Sequence, residues 1–188
     1  MKTQTTTTKE TSDPQSDGAF CSRRSSVMDI EGLRQMFSRL SEKNMYRCFH
    51  TPYPSVPEWT ISHLSNTNRE NAEFLVAVSE GEIVGHAMFV GEDEEAKFAV
   101  AVEDEWQSRG VDKSLLFRLA LDAKRRDFET FTATVLGENR RMVGLLEAAF
   151  SKVEYQMKGG AFHMRIPLSV ARSAPKPEES QRMKRLAS

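Results

Sequence analysis

The sequence lacks three features that would each mark a particular class of protein. Its 188 residues include only two cysteines, Cys21 and Cys48, too few for a disulfide framework and without the CxxC spacing of a metal or redox site. The formal net charge is -1, so neither nucleic acid nor an anionic membrane is favoured as a partner. No apolar run approaches the roughly 20 residues of a membrane span. These absences predict a cytoplasmic protein with no metal, nucleic-acid or membrane partner.

The two ends of the chain are polar and contain little that a folded core would bury. Residues 1–21 begin with a threonine-rich stretch, and residues 169–188 contain two prolines and a mixed-charge end. Such segments cannot bury enough apolar surface to offset the entropy of ordering. We therefore expect disordered tails on either side of one domain over residues 22–168.

Within this domain, the spacing of apolar residues changes between helical and strand periods. Helical spacing from Ile30 to Leu40, with Asp29 as the cap, predicts a first helix, and a Ser55–Glu58 capping box predicts a second that includes Leu64. Two further helices are predicted after residue 112 and over 139–149, and strands are predicted over 73–79, 82–90, 96–102, 130–136, 153–157 and 161–167. Strands that alternate with helices and close on a hairpin indicate an α/β domain with a mixed sheet (α+β).

One loop stands out because it joins an apolar strand to the start of an amphipathic helix. It comprises the six residues from Gln107 to Asp112. The first turn of a helix leaves backbone N–H groups without partners, and these N–H groups bind phosphate well. The loop is therefore a candidate site for a phosphate or pyrophosphate, although it ends in an acid, Asp112.

The order of the motifs resembles the GNAT family of acyl-CoA-dependent N-acetyltransferases. The shared features are a strand, then Gln-x-x-Gly opening a helix at Gln107 and Gly110, then another strand and Glu138-Asn139 opening the next helix. Within that family, the segments 37–41, 46–49, 102–107 and 135–142 are similar to one branch. That branch includes bacterial protein-lysine acetyltransferases and the acetyltransferase modules attached to acyl-CoA synthetases.

The resemblance implies a single GNAT-like domain that moves an acetyl group from acetyl-CoA to an amine, such as a protein lysine. It also implies that the loop and the first helical turn hold the pyrophosphate, that the preceding strand pairs with the pantetheine arm, and that an asparagine lies beside that arm. The implied coenzyme A contacts are Gln107, Ser108, Arg109, Gly110, Val111, Asp112, Lys113 and Ser114 in the loop and turn, Val100, Ala101 and Val102 in the strand, and Asn139.

Four positions depart from the family pattern, and one of them is Leu146, which stands where many members carry a tyrosine that can protonate the leaving coenzyme A. Asp112 stands where Gly or Ala is usual, and at about 5 Å and an effective dielectric near 20 its charge would repel a phosphate by about 3 kcal/mol unless the flanking Arg109 and Lys113 offset it. Lys97 stands where the branch has a glutamate that acts as general base, and a lysine cation cannot take a proton. Ser108 stands where glycine is frequent, which restricts the backbone.

These departures leave the catalytic residues unassigned. An imidazole has a pKa in the right range for a base, but His86 and His163 both lie in apolar, strand-like segments and are interpreted as core or surface histidines. The sequence therefore allows three functions. The first is an acetyltransferase, and the second is a catalytically impaired GNAT domain that binds acyl-CoA or a protein partner. The third, which requires Asp112 to abolish the phosphate site, is an interaction module that binds no coenzyme A.

Overall fold

The computed structural model describes residues 19–50, 56–64 and 70–168. The described strands are β1 (Cys21–Arg24), β2 (Ala72–Ser79), β3 (Glu82–Glu92), β4 (Glu95–Val102), β5 (Thr130–Leu136), β6 (Glu154–Lys158) and β7 (Ala161–Pro167). The described α-helices are α1 (Ile30–Ser38), α2 (Glu42–Phe49), α3 (Glu58–Leu64), α4 (Val111–Lys124) and α5 (Arg140–Ala149). None of these helices combines the length and the apolar character needed to cross a bilayer.

All of these strands belong to one sheet, in the order β1-β2-β3-β4-β5-β7-β6. Neighbouring strands are antiparallel except β4 and β5, which are parallel and pair only over Glu95–Lys97 and Thr130–Thr132. Beyond Lys97 the two strands separate, and the sheet opens into a wedge. The wedge is a consequence of register, because β4 and β5 continue for several residues after their last paired positions.

A hydrophobic core lies on each face of the sheet. On one face, α4 and α5 pack over Phe89 and Phe131 of the sheet, and α4 contributes Leu116 to this core. On the other face, α1, α2 and α3 cover β2 to β4 and bury residues such as Leu33 and Phe74. Because α1 to α3 cover only that part of the sheet, the same face of β5, β7 and β6 carries an open groove lined mainly by polar residues.

The mixed α/β architecture predicted from the sequence is confirmed. The prediction of β5 is correct to the residue, and the β2–β3 hairpin lies where it was expected. Most of the predicted N-terminal tail and all of the predicted C-terminal tail lie outside the described residues, as does Ser55, the proposed cap of α3.

Four local predictions need correction. The strand β1 and the helix α2 were not predicted. The first helix ends at Ser38, so Leu40 is buried in the segment that follows it. Asp29 does not cap this helix, because its carboxylate accepts hydrogen bonds from the Arg23 guanidinium at 2.6 and 2.7 Å and from the Ser26 backbone N–H at 2.7 Å. Asp29 instead fixes the turn that connects β1 to α1.

Candidate functional site

The wedge between β4 and β5 opens into a cavity that crosses the sheet. Its walls are residues 98–102 of β4 and 133–135 of β5. The helix α2 closes one side with Arg47, Cys48 and Phe49. At the other side lie the loop before α4 and the start of α5. Six of the residues predicted to contact coenzyme A line this cavity: Val100, Ala101, Val102, Gln107, Asp112 and Asn139.

The loop before α4 has the backbone that an anion cradle requires. Ser108 and Gly110 both have left-handed backbone angles, with φ of 62° and 84°. Glycine adopts such angles freely, whereas serine does so only with strain. A Cβ atom added at Gly110 would meet nothing within 4 Å, so the space in front of the loop is open.

The backbone N–H groups of this loop are available for a ligand. Among the hydrogen bonds of the described residues, none uses the N–H of Arg109, Gly110, Val111 or Asp112. The first intrahelical bond runs from the Ser114 N–H to the Gly110 carbonyl at 2.9 Å. Unpartnered N–H groups at the start of a helix can donate hydrogen bonds to the oxygens of a phosphate.

Asp112 is paired, which changes the interpretation of its charge. Its side chain is 8% exposed and forms an ion pair with the Arg141 guanidinium of α5. One carboxylate oxygen also accepts the Lys113 backbone N–H at 2.8 Å. The guanidinium of the flanking Arg109 lies over the Trp106 ring at 5.0 Å, so the cation that pairs with Asp112 is Arg141. The Asp112 charge is therefore balanced by Arg141, and its carboxylate accepts one of the backbone N–H groups of the first turn.

The β4 edge of the wedge is partly engaged by the protein itself. The Val102 carbonyl accepts a hydrogen bond from Gln107 Nε2 at 3.2 Å, and Cys48 Sγ lies 4.0 Å from the Val100 carbonyl. On the opposite side, the Asn139 side chain caps α5 by accepting the Met142 N–H at 3.3 Å. Gln107 and Asn139 thus have structural tasks in addition to their position at the cavity.

The helix α2 brings to the cavity a cation that the sequence did not identify as functional. Arg47 lines the cavity, and its Nε atom is buried without a hydrogen-bond partner among the described residues. The carboxylate of Glu138, in the loop before α5, is 3.8 Å from that Nε. Arg47 and Glu138 therefore face each other across the opening of the wedge. The only sequence signal was the position of Arg47 in segment 46–49, which carries part of the family resemblance.

Two titratable side chains that line the cavity are held neutral. Burial lowers the pKa of His86 to about 4, although its hydrogen bond to the Leu64 backbone acts in the opposite direction. Burial also raises the pKa of the Cys48 thiol to about 12, and the nearby Asp104 carboxylate adds to this shift. At pH 7, His86 is thus too weak a base to deprotonate an amine, and Cys48 is a thiol without nucleophilic character.

The two remaining residues singled out from the sequence lie at the open groove. Lys97 is exposed on β4, at the point where the wedge begins, and His163 is exposed on β7. Both line the groove on the uncovered face of β5, β7 and β6. Among the residues that the structure describes, no group of three His, Cys, Asp or Glu side chains could hold a metal ion.

Comparison with known proteins agrees with this architecture. The chain is similar to the GNAT domain of PAT from S. lividans, with 23% identity over 78% of this chain and 89% of that one, and a TM-score of 0.72. PaiA N-acetyltransferase from Thermoplasma acidophilum, in complex with coenzyme A, has 14% identity over 79% and 99% of the two chains and a TM-score of 0.65. Phosphinothricin acetyltransferase from Sinorhizobium meliloti, in complex with AcCoA, has 16% identity over 84% and 94%, and also a TM-score of 0.65.

A search of curated proteins finds no match. At identities of 14% to 23%, the likeness to these structures concerns the fold. The family assignment depends on the sequence itself, which matches the acetyltransferase (GNAT) family over residues 35–150. That stretch includes the wedge, the loop before α4 and the start of α5, and the chain belongs to the GNAT acetyltransferase family.

Proposed function

We propose that this protein binds acetyl-CoA in the wedge and transfers its acetyl group to an amine. The observation that carries the proposal is the meeting of two features at one place. One is the gap between β4 and β5, and the other is the set of unpartnered N–H groups of residues 109–112 at its end. A flexible arm with a pyrophosphate at one end fits both features together.

The residues present suit such a ligand. The N–H groups of Arg109 to Asp112 would bind the pyrophosphate oxygens, and the open space in front of Gly110 leaves room for them. The backbone of Val100 to Val102 would pair with the amides of the pantetheine arm in place of a neighbouring strand. Asn139 would lie beside the same arm, at the opposite wall.

For the acceptor we propose the amine of a protein lysine. The support is the groove on the uncovered face of β5, β7 and β6, which includes Lys97 at the start of the wedge. A groove that is open to solvent can accommodate a folded partner whose lysine side chain reaches toward the thioester. The resemblance to the branch with protein-lysine acetyltransferases points the same way.

A second candidate is a domain that binds acetyl-CoA without efficient catalysis. The observation in its favour is Lys97, which occupies the position where the branch carries its glutamate base. At pH 7, deprotonation of a lysine with a pKa near 10.4 costs about 4.6 kcal/mol, so a protein without any base would acetylate lysine slowly. Binding without turnover is the result that this second candidate predicts.

Calorimetric titration with acetyl-CoA tests the proposal, followed by an assay of thiol release with lysine-containing proteins and peptides. Gly110→Ala should weaken acetyl-CoA binding at least about tenfold, since its Cβ would project into the cradle and strain the loop. Gly159→Ala is the matched control, because Gly159 also has a positive φ, of 59°, and open space around its Cβ position, but lies in the β6–β7 turn. Absence of binding at millimolar acetyl-CoA, or equal effects of the two variants, would overturn the proposed site.

A further inference from the structure

We propose that His50, at the end of α2, is the general base that deprotonates the acceptor amine. This inference rests on the proposed function, since it supplies the base that Lys97 cannot be. His50 was not considered at the level of sequence, because it follows α2 and precedes residues 51–55, outside any strand that approaches the site. Three observations support this assignment.

The first observation is the course of α2 along β4. At the start of the helix, the Asp104 carboxylate accepts hydrogen bonds from the Ser41 backbone N–H at 3.1 Å and from Asn44 Nδ2 at 2.7 Å. Near its end, Cys48 Sγ lies against the Val100 carbonyl. The helix therefore runs antiparallel to β4, and its last residues approach the beginning of that strand. The end of α2 therefore approaches the start of β4, where Lys97 occupies the position of the missing glutamate, and the Lys97 charge acts on the His50 imidazole.

Strand geometry puts the relevant side chains on the same face. Alternate residues of β4 point to the same side of the sheet, so Lys97 shares a face with Ala101. Ala101 packs in the core that α1, α2 and α3 cover. The Lys97 side chain thus emerges on the side where α2 ends and where the open groove begins.

The second observation is the backbone of His50 itself. It terminates α2 in a left-handed conformation, with φ of 54° and ψ of 20°, and its N–H donates to the Tyr46 carbonyl at 2.8 Å. Asparagine or glycine would adopt this conformation with less strain. A residue in such a conformation commonly ends a helix, so the imidazole of His50 leaves the chain at the point where α2 stops.

The third observation is the environment of the imidazole. One ring N–H donates to the Arg47 backbone carbonyl, so the other ring nitrogen carries the lone pair that a base needs. Partial burial and the positive charge of Lys97 lower the pKa of His50 below its usual 6.5. His50 is therefore mostly neutral at pH 7, yet only partly buried, unlike His86.

The charged groups around His50 explain why a lysine is tolerated at position 97. Lys97 on β4 and Arg47 on α2 are cations, Glu138 faces Arg47, and Asp104 lies at the opposite end of the helix. Cations lower the pKa of a neighbouring ammonium group, as Lys97 does for His50. The same field would ease the loss of a proton from an incoming lysine.

The acetyl transfer begins with the loss of a proton from the acceptor. The acceptor ammonium gives one proton to His50, which later releases it to solvent. The neutral amine attacks the thioester carbonyl, so a C–N bond forms and the C–S bond breaks. The second amine proton passes to the leaving thiolate, and the products are an amide, coenzyme A and one released proton.

The test is His50→Asn, which suits the left-handed backbone but lacks the imidazole. We expect kcat/KM at pH 7 to fall by about a hundredfold or more, the usual contribution of a general base. The Kd for acetyl-CoA should remain within about twofold, because His50 is not part of the cradle. His63→Gln, on the exposed end of α3, is the control and should retain wild-type turnover.

A pH profile separates a base from a structural residue. Activity should decline on the acid side through the lowered pKa of His50. Lys97→Met removes the cation that depresses this pKa, so it should move the acid limb to higher pH. Free imidazole should partly restore the activity of His50→Gly.

Each outcome has a distinct meaning. If the wild-type protein does not bind acetyl-CoA, the proposed function itself fails. If it binds acetyl-CoA but acetylates none of the acceptors, or if His50→Asn keeps full turnover, His50 is not the base and the inference is overturned. An acid limb that does not move in Lys97→Met also contradicts it.

Discussion

Removal of the Arg141 guanidinium should turn Asp112 from a neutral partner into an obstacle to acetyl-CoA. The two side chains form an ion pair in which the carboxylate is 8% exposed and the guanidinium 35%. In Arg141→Met, the Asp112 carboxylate would keep only the Lys113 N–H as a partner. Its full negative charge would then lie beside the N–H groups proposed to bind the pyrophosphate.

The expected loss of acetyl-CoA affinity follows from Coulomb's law. Two unit charges about 5 Å apart at an effective dielectric of about 20 repel by about 3 kcal/mol, and this energy corresponds to a Kd about a hundredfold higher. The double variant Asp112→Asn/Arg141→Met removes both charges and should recover most of the wild-type affinity. Asparagine at 112 keeps an oxygen that can accept the Lys113 N–H.

Isothermal titration with acetyl-CoA should compare the Kd of the wild type, the single variant and the double variant. The ionic strength should be low, since salt would screen the repulsion. Thermal melting of each variant should accompany it, because breaking this partly buried pair lowers stability, by less than the roughly 3–5 kcal/mol lost when a fully buried pair is broken. An unchanged Kd in Arg141→Met would refute the electrostatic reasoning. A double variant as weak as the single one would show that Arg141 contacts the ligand directly instead of acting through Asp112.

Three further predictions concern stability and reactivity. Gly91→Ala should destabilise the fold by about 1–3 kcal/mol, measured by urea unfolding, because its Cβ would overlap the buried Phe128 ring. Asp29→Asn should lower stability by about 2 kcal/mol at pH 7. Since the hydrogen bond from Arg23 lowers the pKa of Asp29 below 3.8, this difference should vanish as the pH falls through that lowered pKa. Iodoacetamide at pH 8 should label the exposed Cys21 but spare the half-buried Cys48, whose pKa is about 12, until the protein is denatured, as mass spectrometry would show.

The fold was predictable in those segments whose own residues show a clear helical or strand spacing of apolar side chains. The strand β5 is rich in β-branched residues and alternates in burial, so its limits were predicted correctly. The helix α2 was missed because it has only eight residues, so its apolar side, Met45, Cys48 and Phe49, repeats the helical spacing only once. The strand β1 was missed because none of its four residues is buried.

The site was predictable only where it depends on a motif. The loop from Gln107 to Asp112 was identified because its chemistry resides in consecutive backbone groups. The pairing of Asp112 with Arg141 joins residues 29 positions apart, and no local pattern records it. The approach of His50 to Lys97 depends likewise on how α2 packs along β4, which is a tertiary feature.

The short parallel pairing of β4 and β5 has a consequence for how the chain folds. The strands β2, β3 and β4 follow one another as antiparallel neighbours with tight connections, so their contacts form between residues close in sequence. Glu95 and Thr130, in contrast, meet only after α4 has crossed over the sheet, and only three residue pairs hold that junction. Loop closure of this kind is slow, because its entropic cost is offset only once the contacts of the packed helix have formed. We therefore expect the meander to order early and the junction to close late, so that the wedge is among the last parts of the molecule to take shape.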